Sequence, residues 1–224
     1  MNLENLKAEA ARRGVEFVKS GMRVGLGTGS TARFAILEIA RKIKAGELEN
    51  IVGVATSIES ENLARENGIA VEDLDTRVLD VAIDGADEIA PNLDLIKGLG
   101  AALLREKLVE LQAKEFIVVV DYTKLVSRLG EKTSVPVEIT RFGFESTIAR
   151  LKSFGEPVLR RKNGEIVITD NGNYIADLRF SSDDAPKLAR DLKQIAGVVE
   201  TGFFIGMAAR AIVAFESEVK EFTR

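Results

Sequence analysis

Three short stretches of this sequence concentrate groups able to bind anions or move protons: Gly25-Leu26-Gly27-Thr28-Gly29-Ser30-Thr31-Ala32, Asp84-Gly85-Ala86-Asp87-Glu88 and Lys97-Gly98-Leu99-Gly100. In the first, glycines let the backbone turn tightly and bring N–H groups against a ligand, while Ser30 and Thr31 can cap a following helix and offer hydroxyls to an anion at its positive end. A phosphate fits that chemistry, and so does a plain glycine turn with an N-cap. No Gly-Lys-Ser/Thr follows, which disfavours a Walker-type nucleotide loop. Gly27-x-Gly29-x-x-Ala32 matches a loose dinucleotide pattern, but Thr56 and Ser57 occupy the position of the acid that holds the ribose, so NAD is a weak reading.

Asp84 and Asp87 flank Gly85 and Ala86 directly after the run Val78–Ile83, apolar apart from Asp80. That is the carboxyl end of an expected strand, where open α/β sheets bind ligands; a solvated turn with an Asp cap accounts for the spacing equally well. The spacing is not that of a calcium loop. Lys97 opens another flexible loop at a strand end and supplies a cation beside those carboxylates. Glu106 lies in Leu104-Arg105-Glu106-Lys107, inside a helix whose apolar stripe reads as Ala101, Leu104, Leu108 and Leu111, and this periodicity places Glu106 on a solvated face. Lys124 follows the strand Phe116–Val120, and by itself a loop lysine means little.

The rest of the composition narrows the chemistry. The chain has 224 residues, 31 basic and 35 acidic, with no His and no Cys. Disulfides, thiolate nucleophiles, imidazole bases and Cys/His metal cages are excluded, so catalysis would run on carboxylates, lysines, hydroxyls and backbone amides. The acidic excess argues against nucleic-acid binding. Charges throughout the first 20 residues leave no signal-peptide core, and the longest aliphatic/aromatic run, Phe116–Val120, is far short of a membrane span. A cytoplasmic protein is expected.

The elements that must position these groups can be read from periodicity. An amphipathic helix from Leu3 stops at Gly21; a strand Met22–Leu26 enters the glycine loop, and a helix runs from Thr31 to about Lys44. Strand and helix signals go on alternating to Val120, which points to a parallel sheet covered by helices. After Gly130 the rhythm changes. Asn163-Gly164 and Asn171-Gly172-Asn173 mark hairpin turns around Ile166-Val167-Ile168 and Tyr174–Phe180, with a helix Asp184–Ile195 and a strand Val198–Phe204 beyond. The expected fold is α/β: a Rossmann-like parallel-sheet domain of residues 1–130 plus 206–224, and a smaller α+β, ferredoxin-like domain of residues 131–205. The last segment, Ile205–Phe222, is expected to return and pack on the first domain.

In this order and spacing the motifs closely resemble the A-type ribose-5-phosphate isomerase family. Gly27–Ala32, Asp84–Glu88, Lys97–Ala102, Arg105-Glu106-Lys107 and Lys124 carry the resemblance, joined by Pro136-Val137-Glu138, Thr169–Asn173 and Gly202-Phe203-Phe204. It spans essentially the whole chain. Leu99 departs from it, standing where the family usually has a third consecutive glycine, and so does Ala209-Arg210, where the family commonly has Ala-Asp. The resemblance implies a metal-free, cofactor-free aldose–ketose isomerase acting on a sugar phosphate and forming a homodimer or homotetramer. It implies Glu106 as the base at carbon and Asp84 as the group assisting ring opening. Asp87, Lys97 and the loop amides at Gly98 and Gly100 would attend the O1 and O2 charge. Thr28, Gly29, Ser30 and Thr31, with Lys124 and Lys7, would hold phosphate, and Gly85, Ala86 and Leu99 complete the substrate-binding set. The rivals are a non-catalytic sugar-phosphate sensor, for which only about 20 residues precede the first strand, and a dehydrogenase lacking its ribose-binding acid.

Overall fold

Alternating helix and strand periodicity becomes alternating elements in the computed structural model, which describes residues 2–224. The first half of the chain forms α1 (Leu3–Val15), β1 (Arg23–Leu26), α2 (Ser30–Lys44), β2 (Val52–Ala55), α3 (Ile58–Glu66), β3 (Ala70–Val71), β4 (Val81–Asp84), β5 (Glu88–Ile89), β6 (Leu95–Ile96), α4 (Leu103–Leu111) and β7 (Phe116–Asp121). The second half forms β8 (Val135–Ile139), α5 (Phe144–Leu151), β9 (Glu156–Leu159), β10 (Arg161–Lys162), β11 (Glu165–Ile166), β12 (Tyr174–Arg179), α6 (Ala185–Lys193), β13 (Val198–Thr201), β14 (Phe203–Phe204), β15 (Arg210–Ala214) and β16 (Val219–Thr223). Among the described residues no helix is long and apolar enough to cross a membrane.

Contacts divide the chain into one unit of Met1–Ala86, Arg105–Lys124 and Gly206–Arg224, and a second of Asp87–Leu104 and Leu125–Ile205. The first holds a seven-stranded sheet in the order β16-β15-β7-β4-β1-β2-β3, parallel except for β16. The C-terminal segment returns to this sheet as two of its strands, β15 beside β7 and β16 at the edge. Because side chains alternate along a strand, each face of the sheet takes every second residue. Val24 and Leu26 of β1 with Val81 and Ile83 of β4 join Leu6, Ala10, Ile36 and Ile39 of α1 and α2 in one core. The other face carries Gly25 and, in register with it, Ala82, and a Cβ on Gly25 would meet Val109 of α4 at 2.8 Å. Two small residues therefore make the groove into which α4 settles.

The second unit contains a four-stranded antiparallel sheet, β13-β8-β12-β9, with α5 joining β8 to β9 and α6 joining β12 to β13. That is the ferredoxin-like arrangement. Glu138 of β8 is fully buried, and its Oε1 accepts hydrogen bonds from the Thr169 hydroxyl and the Asn173 amide, both at 2.9 Å. This ties the Thr169–Asn173 turn to the sheet. Residues 87–104 and 125–130 also belong to this unit, where the sequence reading placed them in the first domain. The reason is long-range pairing: β5 and β6 form a small sheet with β14. Glu88, also fully buried, accepts N–H groups of Gly130, Lys132 and Thr133 at 2.6–2.7 Å.

Two local expectations change. The expected strand Val198–Phe204 breaks at Gly202 into β13 and β14, which join different sheets; a Cβ on Gly202 would lie 2.3 Å from the Lys97 carbonyl oxygen. In α4 the predicted stripe is not the buried one. Leu108 and Leu111 are exposed, and the inward face is Leu103, Glu106, Val109 and Glu110. Both faces have helical spacing, and the sheet groove selects the one that presents Val109.

Asp80 ties the strand entries together, accepting from the Arg23 N–H at 2.9 Å and from Lys114 Nζ at 2.8 Å. The Lys114 hydrogen bond first, and the Arg23 amide second, hold its carboxyl below the usual carboxylate range. A depressed carboxylate stabilises the fold above its ordinary value of about 4 and loses that contribution as pH falls through the lowered folded value. In urea titrations across pH, the advantage of the native chain over Asp80→Asn is therefore expected to be full at neutral pH and to shrink below about pH 4.

Candidate active site

The glycine loop between β1 and α2 is shaped by Asp84. Gly27 lacks a Cβ where one would fall 2.2 Å from Asp84 Cγ, so the Asp84 carboxyl group packs directly against the backbone of the loop. Its Oδ1 accepts the N–H of Thr28 at 3.0 Å and of Gly85 at 2.6 Å. The Thr28 hydroxyl turns inward as well, into a cluster with Thr56 at 2.7 Å, Ser57 at 2.8 Å and Ser60 at 3.2 Å. The Thr56 and Ser60 hydroxyls donate to the carbonyls of Leu26 and Gly27. Thr28 thus braces the loop from within. Gly29, at φ +99°, then starts α2, and the amides and hydroxyls of Ser30 and Thr31 sit in its first turn, which contains no acidic residue. The first N–H groups of a helix have no intrahelical acceptor, and with the helix dipole they favour an anion.

Asp84 follows Ala82 on β4 and so points to the face of the sheet that α4 covers. Glu106 stands one helical turn before Val109, on the same inward face of α4. The two carboxylates, 1% and 3% exposed, therefore share one layer of the first unit at the carboxyl ends of its strands. Sequence periodicity places Glu106 in solvent, whereas in the structure it is buried. Lys124 is half-buried at the end of a 3-10 turn, Tyr122–Lys124, after the neighbouring strand β7. That turn is set by buried Asp121, which accepts the N–H of Thr123 at 2.9 Å and its hydroxyl. Lys7, on α1, pairs with Glu4 at 2.7 Å.

In the second unit, Lys97 is 2% exposed. Its N–H donates to the Gly202 carbonyl at 2.9 Å, and its Nζ lies 5.4 Å from the centre of the Phe204 ring, a cation–π contact. Gly202-Phe203-Phe204 is thereby the seat of Lys97. Asp87 is half-buried, and its Oδ2 accepts the Leu99 N–H at 2.9 Å. Gly98 is buried at φ +106°, while Leu99 and Gly100 are exposed. Within the first unit Asp84 gathers Thr28 and Gly85, and within the second Asp87 meets Leu99. Asp121, Ser60 and Phe204 support the Lys124 turn, Thr28 and Lys97, and none of the three carries a local sequence signal for a site. Among the described residues no group of three or more Asp or Glu side chains is gathered to hold a metal ion.

The family model described as Ribose 5-phosphate isomerase A (phosphoriboisomerase A) matches residues 52–218. A ribose-5-phosphate isomerase A of Deinococcus radiodurans is 59% identical over 228 residues, covering 100% of both chains. The chain belongs to the ribose 5-phosphate isomerase A family. Among solved structures of the family, a D-ribose-5-phosphate isomerase in complex with phospho-erythronic acid superposes with a TM-score of 0.97 at 43% identity, covering 100% of each chain. The ribose 5-phosphate isomerase of Plasmodium falciparum superposes at 0.96 with 38% identity and 99% coverage of each. As a ribose 5-phosphate isomerase A family member the chain is an isomerase with the α/β fold.

Gly27→Ala tests whether the packing of Asp84 matters for that activity. The added Cβ must displace the Asp84 carboxyl group itself, since the clash reaches its Cγ and Cβ. Overpacking of this kind typically costs about 1–3 kcal/mol. The expected outcome is a folded variant by circular dichroism, with a lower urea midpoint and turnover reduced much more than the loss of folded protein accounts for.

Proposed function

We propose that this chain is a metal-independent, cytoplasmic isomerase that interconverts D-ribose 5-phosphate and D-ribulose 5-phosphate through a cis-enediolate, in the non-oxidative pentose phosphate pathway. Family membership carries the reaction. The observation that supports its mechanism is the burial of Glu106 on the face of α4 turned toward the Asp84 layer. Phospho-erythronic acid in the solved relative supports a phosphorylated sugar chain as the ligand class.

In this reading the phosphate is held by the amides of Gly29, Ser30 and Thr31, the hydroxyls of Ser30 and Thr31, and the cations Lys124 and Lys7. Thr28, Gly85 and Ala86 shape the loop walls. Asp84 assists ring opening by moving the proton between the anomeric hydroxyl and the ring oxygen. Glu106 then removes the proton at C2, the released electron pair forms the C1–C2 double bond, and the aldehyde oxygen O1 takes up the charge. Lys97, Asp87 and the Gly98–Gly100 backbone attend that charge and carry the proton between O2 and O1. Collapse to the C2 carbonyl returns the Glu106 proton to C1. Each group acts where charge develops, which is where a preorganised donor contributes most. The exposed Leu108 and Leu111, with the family resemblance, support self-association as a homodimer or homotetramer.

Glu106→Gln keeps the shape of the side chain and removes its basicity. Its kcat is expected to fall by roughly 10²- to 10⁴-fold with KM little changed, in a coupled assay of ribulose 5-phosphate formation. Near-normal turnover would reject Glu106 as the base. Because Lys97 and backbone donors take the place of a Lewis acid, activity is also expected to survive exhaustive dialysis against EDTA; loss restored by a divalent ion would recast the aspartates as metal ligands.

A further inference from the structure

Arg160 lies outside every segment whose spacing suggested chemistry, yet each of its three guanidinium nitrogens donates a hydrogen bond. The side chain is only 12% exposed and stands just past β9. Its Nε donates to Asp177 Oδ2 at 2.8 Å and its Nη2 to Asp177 Oδ1, a two-pronged ion pair. Its Nη1 donates to the carbonyls of Gly98 at 2.9 Å and Leu99 at 3.1 Å. Asp177 sits on β12, an inner strand of the four-stranded sheet paired on both sides, so the guanidinium is braced against that sheet.

The consequence follows from peptide geometry. None of the described peptide bonds is cis, and in a planar trans peptide the C=O and the following N–H point in opposite directions. Drawing the carbonyls of Gly98 and Leu99 toward Arg160 turns the N–H groups of Leu99 and Gly100 away from it. The Leu99 N–H duly ends on Asp87 Oδ2 at 2.9 Å, and the Gly100 N–H is turned in the same sense. The loop does not hold this shape cheaply, since Ala101 stands at φ +64°, a left-handed conformation that disfavours a side chain. A cation bonded to the two carbonyls also polarises both peptide units and strengthens their N–H groups as donors. Asp177 balances the charge, so the effect is one of aim and not of added positive potential.

We infer that Arg160, held by Asp177, is a positioning residue for the isomerisation: it aims the Gly100 amide at the oxyanion of the enediolate and the Leu99 amide at Asp87 beside it. This rests on the reading above that the Gly98–Gly100 backbone attends O1 and O2. Four variants, Arg160→Met, Arg160→Lys, Asp177→Asn and Glu106→Gln, are compared for kcat, KM for ribose 5-phosphate, inhibition by phospho-erythronic acid, and melting temperature. Arg160→Met is expected to lower kcat by roughly 10- to 100-fold, less than loss of a base, with KM within about threefold of the native value. Inhibition by phospho-erythronic acid, whose carboxylate is an anionic analogue of the enediolate oxygens, should weaken in parallel. Arg160→Lys, which keeps one cationic donor, should recover part of kcat whatever its melting temperature. A Met variant with native kcat, or losses that follow melting temperature instead of donor number, would overturn the inference. If Arg160→Met does not fold, Asp177→Asn decides: a fall in kcat of about three- to tenfold at unchanged KM supports it, and unchanged kcat overturns it. Glu106→Gln separates the two levels. An active Gln variant removes the site reading and this inference with it, whereas an inactive Gln variant beside a fully active Met variant removes this inference alone.

Discussion

The Asp84 carboxyl group occupies the space that a side chain at residue 27 would take, and the arrangement of the glycine loop depends on that contact. A backbone with no Cβ lets the carboxylate come close enough to accept the Thr28 and Gly85 amides together. The glycine loop is thereby fastened to the end of β4 and not merely to its own strand. With Thr28 tied down at its N–H, its hydroxyl falls among Thr56, Ser57 and Ser60, which lock the loop to the start of α3. The amides of the α2 first turn are then left facing outward, where an anion can reach them.

A second constraint of the same kind governs Glu106. Burying a carboxylate costs free energy, so the helix that carries Glu106 must be held in place by other contacts. Here the fixing contact is Val109 against Gly25 and Ala82, a close approach that any larger pair would block. One turn of helix converts that apolar contact into the placement of a buried acid in the layer of Asp84. The packing of α4 and the burial of Glu106 are thus coupled through one helix face, and the exposed leucines on its opposite face are the visible consequence.

In the second unit the same economy appears in polar form. Buried carboxylates Glu88 and Glu138 each collect donors from a turn and bind it to a strand, and the Arg160–Asp177 pair does so in reverse, collecting carbonyls. Such groups are costly when unsatisfied and specific when satisfied, so each defines one conformation of the loop it holds. Lys97 belongs to this set through its backbone bond to Gly202 and the Phe204 ring beneath its ammonium group.

The amino-acid sequence by itself determined the alternation of strands and helices, the glycine loop before α2, the hairpin at Asn163-Gly164 and the ordered motifs that mark the family, because these are properties of near neighbours along the chain. Periodicity could not choose which of the two faces of α4 turns inward, since both have helical spacing. Nor could it show that β6 pairs with β14, that residues 87–104 therefore leave the first unit, or that Val198–Phe204 must break at Gly202. Arg160 was illegible for the same reason: an arginine after a short strand has no local signal, and its meaning comes from two carbonyls some sixty residues earlier. Only tertiary structure brings such partners together, because burial and long-range hydrogen bonding depend on what packs opposite a residue and not on what lies beside it in the chain.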